Sequence, residues 1–218
     1  MAAKSQARRQ SRREKEAPDA NELLVLELQE IHSAEAQLAR QLPRLSKAVQ
    51  SGTLRQMLDE RLEEGERIIK DIESALDELD ESPGRRRNVA AEGLINDARE
   101  HVQEIERGAA LDCVLIGAIQ KTEHYCIAAW GTARALAQAV GEKAAASAMD
   151  RALKEGGPYD ERLTKIAEKE VMPALFTGES ESSEMEENEM EEEGDSETGG
   201  GKRGRAQRNR GSEERTTR

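Results

Sequence analysis

The segment LLVLELQEIHSAEAQLARQLPRL, residues 23–45, decides the fold class of this 218-residue chain. Its apolar side chains recur at alternating spacings of four and three residues, the period of a helix with one face turned toward a core. They are Leu24, Leu28, Ile31, Leu38, Leu42 and Leu45. The slot between Ile31 and Leu38 on that face holds Glu35. The segment therefore predicts a long core-facing helix with a carboxylate inside its apolar stripe.

The two ends of the chain differ in composition from its middle. The first twenty residues carry six Lys or Arg against three acids, whereas residues 179–197 contain eleven acids and no base, and the last residues are net basic. Such segments bury too little apolar area to offset the entropy of the chain. We expect a disordered basic arm at 1–20, one folded domain at 21–175, and a disordered acidic then basic tail at 176–218.

Several protein classes are disfavoured by composition. No stretch approaches the roughly 18 to 20 continuous apolar residues of a membrane span, and no signal peptide is evident, so we expect a cytoplasmic protein without a membrane partner. Cys113 and Cys126 lie on one expected helix and cannot pair within it, which disfavours a disulfide scaffold. The basic ends lack interleaved aromatic residues, so they predict at most weak, non-specific contact with nucleic acid.

Between its ends the chain is rich in Ala, Leu, Glu, Lys, Arg and Gln and has almost no strand signal, which predicts an all-α fold. We expect the first helix to be capped by Asp19 or Asn21 and the second by Thr53. Gly141 and Pro173 should end the last two long helices. The expected helices run from about 20 to Gln50, with a kink at Pro43, and then over Leu54–Asp80, Val89–Glu106, Leu111–Val140 and Glu142–Val171.

The connections between these helices predict a topology. Tight turns at 51–53 and near 141 make two antiparallel hairpins, and the connection at 81–107, with a short helix of its own, is long enough to travel the length of a bundle. We therefore expect a ferritin-like antiparallel four-helix bundle, made of two hairpins joined by a long crossover.

Each long helix places one acid at or beside its apolar face. These acids are Glu35, Glu64, Glu123 and Asp160, at roughly matching heights. Carboxylates buried together need protons, a cation or a metal, and related bundles use a di-iron or di-manganese centre. Arg61, one turn before Glu64, could supply the positive charge instead. Cys126 is either a small buried hydrophobe or a thiolate for a soft metal.

The motif QKTEHYCIAAWGT, residues 120–132, together with LELQEIHSAEAQLARQLPRLSKA and RLEEGERIIKDIESALDEL, resembles the bacterial YciE/YciF family over about residues 22–170. The resemblance implies a ferritin-like fold and a cytoplasmic, stress-associated protein that is commonly a homodimer. It also implies carboxylates suited to a dinuclear metal site, although the family has no settled reaction. Glu35, Glu64 and Glu123 match its candidate ligands, and Asp160 matches an acid on its last helix.

Three positions depart from the family pattern. Arg61 stands where the family usually has His, and Cys126 stands where a second Glu is usual. The run Glu155-Gly156-Gly157 replaces Glu-Glu-Lys, and together with Pro158 it should kink or split the last helix beside Asp160. Two functions remain open: a stress-associated bundle with weakened or lost metal binding, or a dinuclear iron or manganese protein with oxidase or peroxide-consuming activity. Whether the chain is an enzyme is left open.

Overall fold

The computed structural model describes residues 18–177, which are helical and contain no strand. The predicted all-α fold is confirmed. Most of the predicted arm (1–20) and tail (176–218) lies outside the described residues, which include only 18–20 of the arm and 176–177 of the tail. The helices are α1 (Ala20–Ala48), α2 (Gly52–Glu78), α3 (Val89–Glu104), α4 (Ala109–Val140) and α5 (Lys143–Ile166), followed by a π-helical segment, Ala167–Val171.

Local chemistry sets the ends of the helices. Asp19 caps α1 in a reciprocal capping box with Glu22, as predicted. The predicted Thr53 cap of α2 is wrong, because Ser51 is the cap and its Oγ accepts from the Leu54 N–H at 3.1 Å. The backbone N–H of Ser51 donates to Asp112 Oδ2 at 2.7 Å. This bond fixes Ser51, two residues before the expected cap, at the start of the helix.

Gly141 ends α4 in the left-handed conformation, with φ of 90°, which a residue with a side chain rarely adopts. Its N–H and that of Glu142 both donate to the Ala137 carbonyl, at 2.9 and 2.8 Å. The chain thereby reverses into α5, as the sequence predicts.

The packing of the helices gives the expected topology. Hairpin α1/α2 packs on hairpin α4/α5 through α1 against α4 and α2 against α5, and α3 crosses over α1 and α4. Asn88, the α3 cap, anchors this crossover: its Nδ2 donates to the Glu30 carbonyl at 3.1 Å and to the Tyr125 hydroxyl at 2.5 Å. Within residues 18–177, no helix has both the length and the apolar character needed to cross a membrane.

Two expectations about the last helix are wrong. Helix α5 runs unbroken through Gly156, Gly157 and Pro158. Gly156 serves close packing instead, since a Cβ built there would lie 2.5 Å from Cζ3 of Trp130. Pro173 does not end the helical trace, which continues through residue 177. The π-helical turn before it alters the hydrogen-bond ladder, so a residue without an N–H is tolerated there.

Two apolar cores fill the bundle. The leucine core, next to the α1/α2 turn, is built around Leu38, Leu42, Leu45, Leu54, Leu58, Leu111, Leu115, Ile116, Ile119 and Leu163. The alanine core, next to the Gly141 turn, is built around Leu24, Leu28, Ile72, Leu76, Trp130, Ala133, Ala137, Ala145, Ala148 and Ala152. Between them lies a buried polar layer, formed by Glu35, Arg61, Glu64 and Glu123.

Candidate functional site

Arg61 is the centre of the polar layer and joins three helices. Its Nε donates to Glu123 Oε1 on α4 at 2.5 Å, and its Nη2 donates to both carboxylate oxygens of Glu35 on α1, at 3.2 and 3.1 Å. All three side chains are fully buried. Glu35, the carboxylate in the apolar stripe of α1, therefore faces a guanidinium inside the bundle.

The neighbours of Arg61 are shaped to hold a planar cation. Gly65 leaves the necessary space, because a Cβ there would lie 3.0 Å from Arg61 Nη1 and 3.3 Å from Glu35 Oε2. Trp130 places its ring centroid 5.7 Å from Arg61 Cζ, within the range of a cation–π interaction. Hydrogen bonding in the layer is incomplete, since Arg61 Nη1 and Glu123 Oε2 are buried without a hydrogen-bond partner.

Burial and charge act in opposite directions on the pKa values of this layer. Burial alone would lower the pKa of Arg61, but Glu35 and Glu123 hold it well above its ordinary value. Burial raises the pKa of Glu123, and the charge of Arg61 only partly offsets that effect. The guanidinium is therefore the permanent charge of the layer, and the carboxylates adjust to it.

Glu64 is the carboxylate of the layer that Arg61 does not bind. It is 6% exposed, and its Oε1 is buried without a hydrogen-bond partner. Burial raises its pKa to about 7, with Arg61 opposing the rise and Glu123 adding to it. Near neutral pH this side chain is divided between its charged and its protonated form.

Cys126 lies on the alanine-core side of the same layer and is buried. Burial, with the charge of Glu35 beside it, raises the pKa of its thiol well above the ordinary value. A thiol held protonated in this way is a poor ligand for a soft metal, because the thiolate is the form that binds metals.

Asp160 is not hydrogen-bonded to the polar layer. It is half-buried at the edge of α5, where its carboxylate accepts from Gln120 Nε2 at 3.2 Å and lies 3.5 Å from His124 Nε2. Its predicted position directly on the inward stripe is wrong, although its charge still acts on Glu123 across the hairpin and adds to the rise of that group's pKa. The contact between Gly156 and Trp130 sets the rotation of α5, so Tyr159 points inward instead.

The polar layer fits an internal ion pair better than a dinuclear metal centre. Within residues 18–177, no group of three or more His, Cys, Asp or Glu side chains is arranged to hold a metal ion. His32 contacts Glu73 at 3.0 Å, away from the layer, and His124 is largely exposed. The positive charge that a metal would bring is already supplied by Arg61.

Asp112 and Tyr159 are buried polar side chains that were not predicted from the sequence. Asp112 accepts the backbone N–H groups of Gln50 and Ser51, at 2.8 and 2.7 Å, and so ties α4 to the α1/α2 turn. Tyr159 donates to the Met57 carbonyl at 3.1 Å and ties α5 to α2. The only available signal was their position next to apolar residues, which many exposed polar residues share.

Residues 19–175 match the family described as Domain of unknown function (DUF892). The chain belongs to this family. Protein YciF of Escherichia coli (strain K12) is 37% identical over 141 residues, which cover 64% of this chain and 85% of that protein. The resemblance to the YciE/YciF family, drawn from the motif at 120–132, is confirmed.

Solved structures agree with this assignment. The crystal structure of the E. coli stress protein YciF has a TM-score of 0.66 and 34% identity, covering 69% of this chain and 96% of its own. The structure of YcfI from Rhodopseudomonas palustris has a TM-score of 0.65 and 28% identity, covering 69% of this chain and 96% of its own. The helical bundle is therefore common to this chain and these relatives.

Proposed function

We propose that this chain is a stress-associated helical-bundle protein, similar to YciF, whose buried carboxylates are neutralised by Arg61 rather than by iron or manganese. It acts through the surfaces of a rigid bundle and not through a redox reaction in its core. The observation that supports this proposal is the fully buried guanidinium bound to both Glu35 and Glu123.

The energetic argument favours an internal ion pair. A metal bound by Glu35 and Glu123 would have to displace the guanidinium, which is charged at every physiological pH and is fully buried. Breaking a buried ion pair by removing one partner costs about 3–5 kcal/mol, and a metal would have to overcome a penalty of this kind.

The association with stress is carried over from YciF of E. coli, which is described as a stress protein. A cytoplasmic homodimer is likewise an extension of the family resemblance. Light scattering on the full chain should give twice the 24.1 kDa chain mass if the dimer forms. The abundance of the protein in its own organism should rise under osmotic, oxidative or stationary-phase stress if the functional proposal is correct.

Metal content tests the main proposal. Untagged protein from cells grown with added iron and manganese should contain close to no iron or manganese by plasma mass spectrometry. A double variant, Arg61→His with Cys126→Glu, restores the residues that the family usually has at these positions and should take up metal. The conservative variant Glu35→Gln keeps the shape of the side chain and should leave the metal content of the wild type unchanged.

The second candidate is a dinuclear iron or manganese protein with oxidase or peroxide-consuming activity. In its favour, Glu64 Oε1 and Glu123 Oε2 are buried acceptors without a hydrogen-bond partner. About two metal ions per chain in the wild type, lost in Glu35→Ala and Glu35→Gln, would overturn the main proposal. Consumption of oxygen and peroxide by the loaded protein would then be measured.

Weak nucleic-acid contact through the charged ends is a separate proposal. Full-length protein and a variant lacking residues 1–17 and 178–218 should differ in their binding to duplex DNA at low salt. Binding by the full chain should fall steeply as salt rises, since phosphate contacts release counterions. Equal binding by both proteins would exclude the ends as the contact.

A further inference from the structure

The seam between α2 and α5 is an open groove crossed by ion pairs. Arg67 pairs with Glu155 at 3.0 Å, and Arg151 pairs with Asp71 at 2.8 Å. Between these pairs lies a depression of about 440 Å³, floored by Ile68, Ala148 and Ala152. Small side chains on α5 keep its backbone close to α2 and leave room for a ligand above them.

Glu64 gives this depression an unsatisfied acceptor. The side chain lines the depression, its residue is 6% exposed, and its Oε1 is buried without a hydrogen-bond partner. A buried carboxylate without a donor is costly, so a donor arriving from the groove would be bound favourably. Arg61 is charged beside Glu64 but does not donate to it, because its hydrogen bonds go to Glu35 and Glu123.

Lys70 gives the same depression an unpaired cation. It lines the depression and is exposed, and it forms no ion pair with a residue in the described part of the chain, whereas its neighbours Arg67 and Arg151 are both paired. Lys70 lies six residues after Glu64 on α2, which is about 9 Å along the helix axis. An acceptor and a donor are therefore offset along one groove.

We propose that this groove binds a small organic zwitterion, with its ammonium group on Glu64, its anionic group near Lys70 and its aliphatic chain on Ile68, Ala148 and Ala152. The charges of the lining favour such a ligand, since three basic and three acidic side chains surround the depression. A ligand of net charge zero satisfies both unpaired groups without leaving excess charge in the groove. This site goes beyond the proposed function and requires no metal in the core.

The probe is 6-aminohexanoate, whose ammonium and carboxylate are separated by a flexible aliphatic chain. It is titrated into the full chain near pH 7 and followed by calorimetry, with hexylamine and hexanoate as probes that each lack one charged group. We expect saturable binding of 6-aminohexanoate with a Kd on the order of 1 mM. Each of the two singly charged probes should bind about tenfold more weakly, since each loses one charge-assisted contact.

Variants assign the two contacts. Glu64→Gln and Lys70→Met should each weaken the binding of 6-aminohexanoate about tenfold. Glu66→Gln is the matched control: Glu66 is exposed on α2, does not line the depression and loses the same charge, so binding should be unchanged. Circular dichroism checks that every variant keeps its helical content.

Three results would overturn the proposal. No saturable binding at about 10 mM probe would exclude the site. Equal binding of hexylamine, with no effect of Lys70→Met, would show a simple ammonium site in place of a zwitterion site. Equal weakening by Glu66→Gln and Glu64→Gln would show a general charge effect without a specific contact at Glu64.

Discussion

The two apolar cores of the bundle are packed from different kinds of side chain. The leucine core packs long aliphatic side chains from all four long helices, so that its volume is shared among many residues. The alanine core brings α4 and α5 together on small residues and places one large ring, Trp130, in the remaining space. The leucine core can redistribute a small change, whereas the α4/α5 side of the alanine core, where Gly156 meets Trp130, has little room to do so.

The polar layer lies where the two kinds of packing meet. Arg61 bonds to α1 and α4, and its guanidinium lies near the face of Trp130, the largest residue of the alanine core. It is a single side chain that touches both the ion cluster and the alanine core. The difference between the cores therefore points to two places where single substitutions should have large effects, Arg61 in the polar layer and Gly156 against Trp130.

The largest expected effect comes from Arg61→Met. Removing the guanidinium leaves Glu35 and Glu123 buried without their shared cation, so the free energy of unfolding should fall by about 3–5 kcal/mol. Urea denaturation at pH 7 measures it.

A compensated variant separates charge from packing. Arg61→Met combined with Glu35→Gln and Glu123→Gln removes the unpaired charges and should regain most of the lost stability. A cost below about 1 kcal/mol for Arg61→Met alone would contradict the view that this residue holds the layer together.

The next effect tests the alanine core through two adjacent glycines of α5. Gly156→Ala should destabilise the protein by about 1–3 kcal/mol, because its Cβ would lie 2.5 Å from the rigid ring of Trp130. Gly157→Ala meets nothing within 4 Å and should stabilise the helix by up to about 1 kcal/mol.

These two variants share a helix and a chemical change, so the measured difference in melting temperature reports the Trp130 contact. Equal effects of the two substitutions would mean that the alanine core can move to accept a methyl group. The view that the α4/α5 side of this core depends on the contact between Gly156 and Trp130 would then be wrong.

Much of the fold follows from the sequence because periodicity is a local signal. The stripe of α1, the Gly141 reversal and the long crossover each depend on residues close together in the chain. The rotation of α5 could not be predicted, since it depends on Gly156 meeting Trp130, 26 residues earlier on another helix. The sequence therefore placed Asp160 on the inward face, where the structure has Tyr159.

The candidate site divides in the same way. That Glu35 needed compensation, with Arg61 as one candidate, could be predicted from the sequence, but whether Arg61 turned inward depended on its rotamer and on the space left by Gly65. Glu64 looked equivalent to Glu35 and Glu123 in the sequence. Only the packed bundle shows that Arg61 binds the other two and leaves Glu64 facing the groove.

A smaller effect concerns pH. The folded-state pKa of Glu64 is about 7, above its ordinary value of 4.5, so the folded protein binds more protons than the unfolded chain between these values. Its contribution is present at low pH and is lost as pH rises through about 7, and Glu123 acts with the same sign. From pH 5 to 8 the free energy of unfolding should fall by about 1 kcal/mol, after allowing for solvent screening.

Glu64→Gln isolates this contribution. The amide cannot ionise, so the variant should lose part of the pH dependence and should be more stable than the wild type at pH 8. Urea denaturation at both pH values measures the difference, with Glu66→Gln as the exposed control. A wild type whose stability is flat, or rises, from pH 5 to 8 would contradict the raised pKa of Glu64.

The smallest effects come from the chain's two tyrosines, one inside the leucine core and one packed against the alanine core. Tyr159 is buried in the leucine core and donates to the Met57 carbonyl, so Tyr159→Phe should cost about 1 kcal/mol. Tyr125 is half-buried beside the alanine core and accepts from Asn88 Nδ2, which also donates to the Glu30 carbonyl. Because water and Glu30 can replace that contact, Tyr125→Phe should cost only a few tenths of a kcal/mol. The reverse order in thermal unfolding would mean that the Asn88 anchor of the crossover, and not the tie between α2 and α5, depends on a tyrosine hydroxyl.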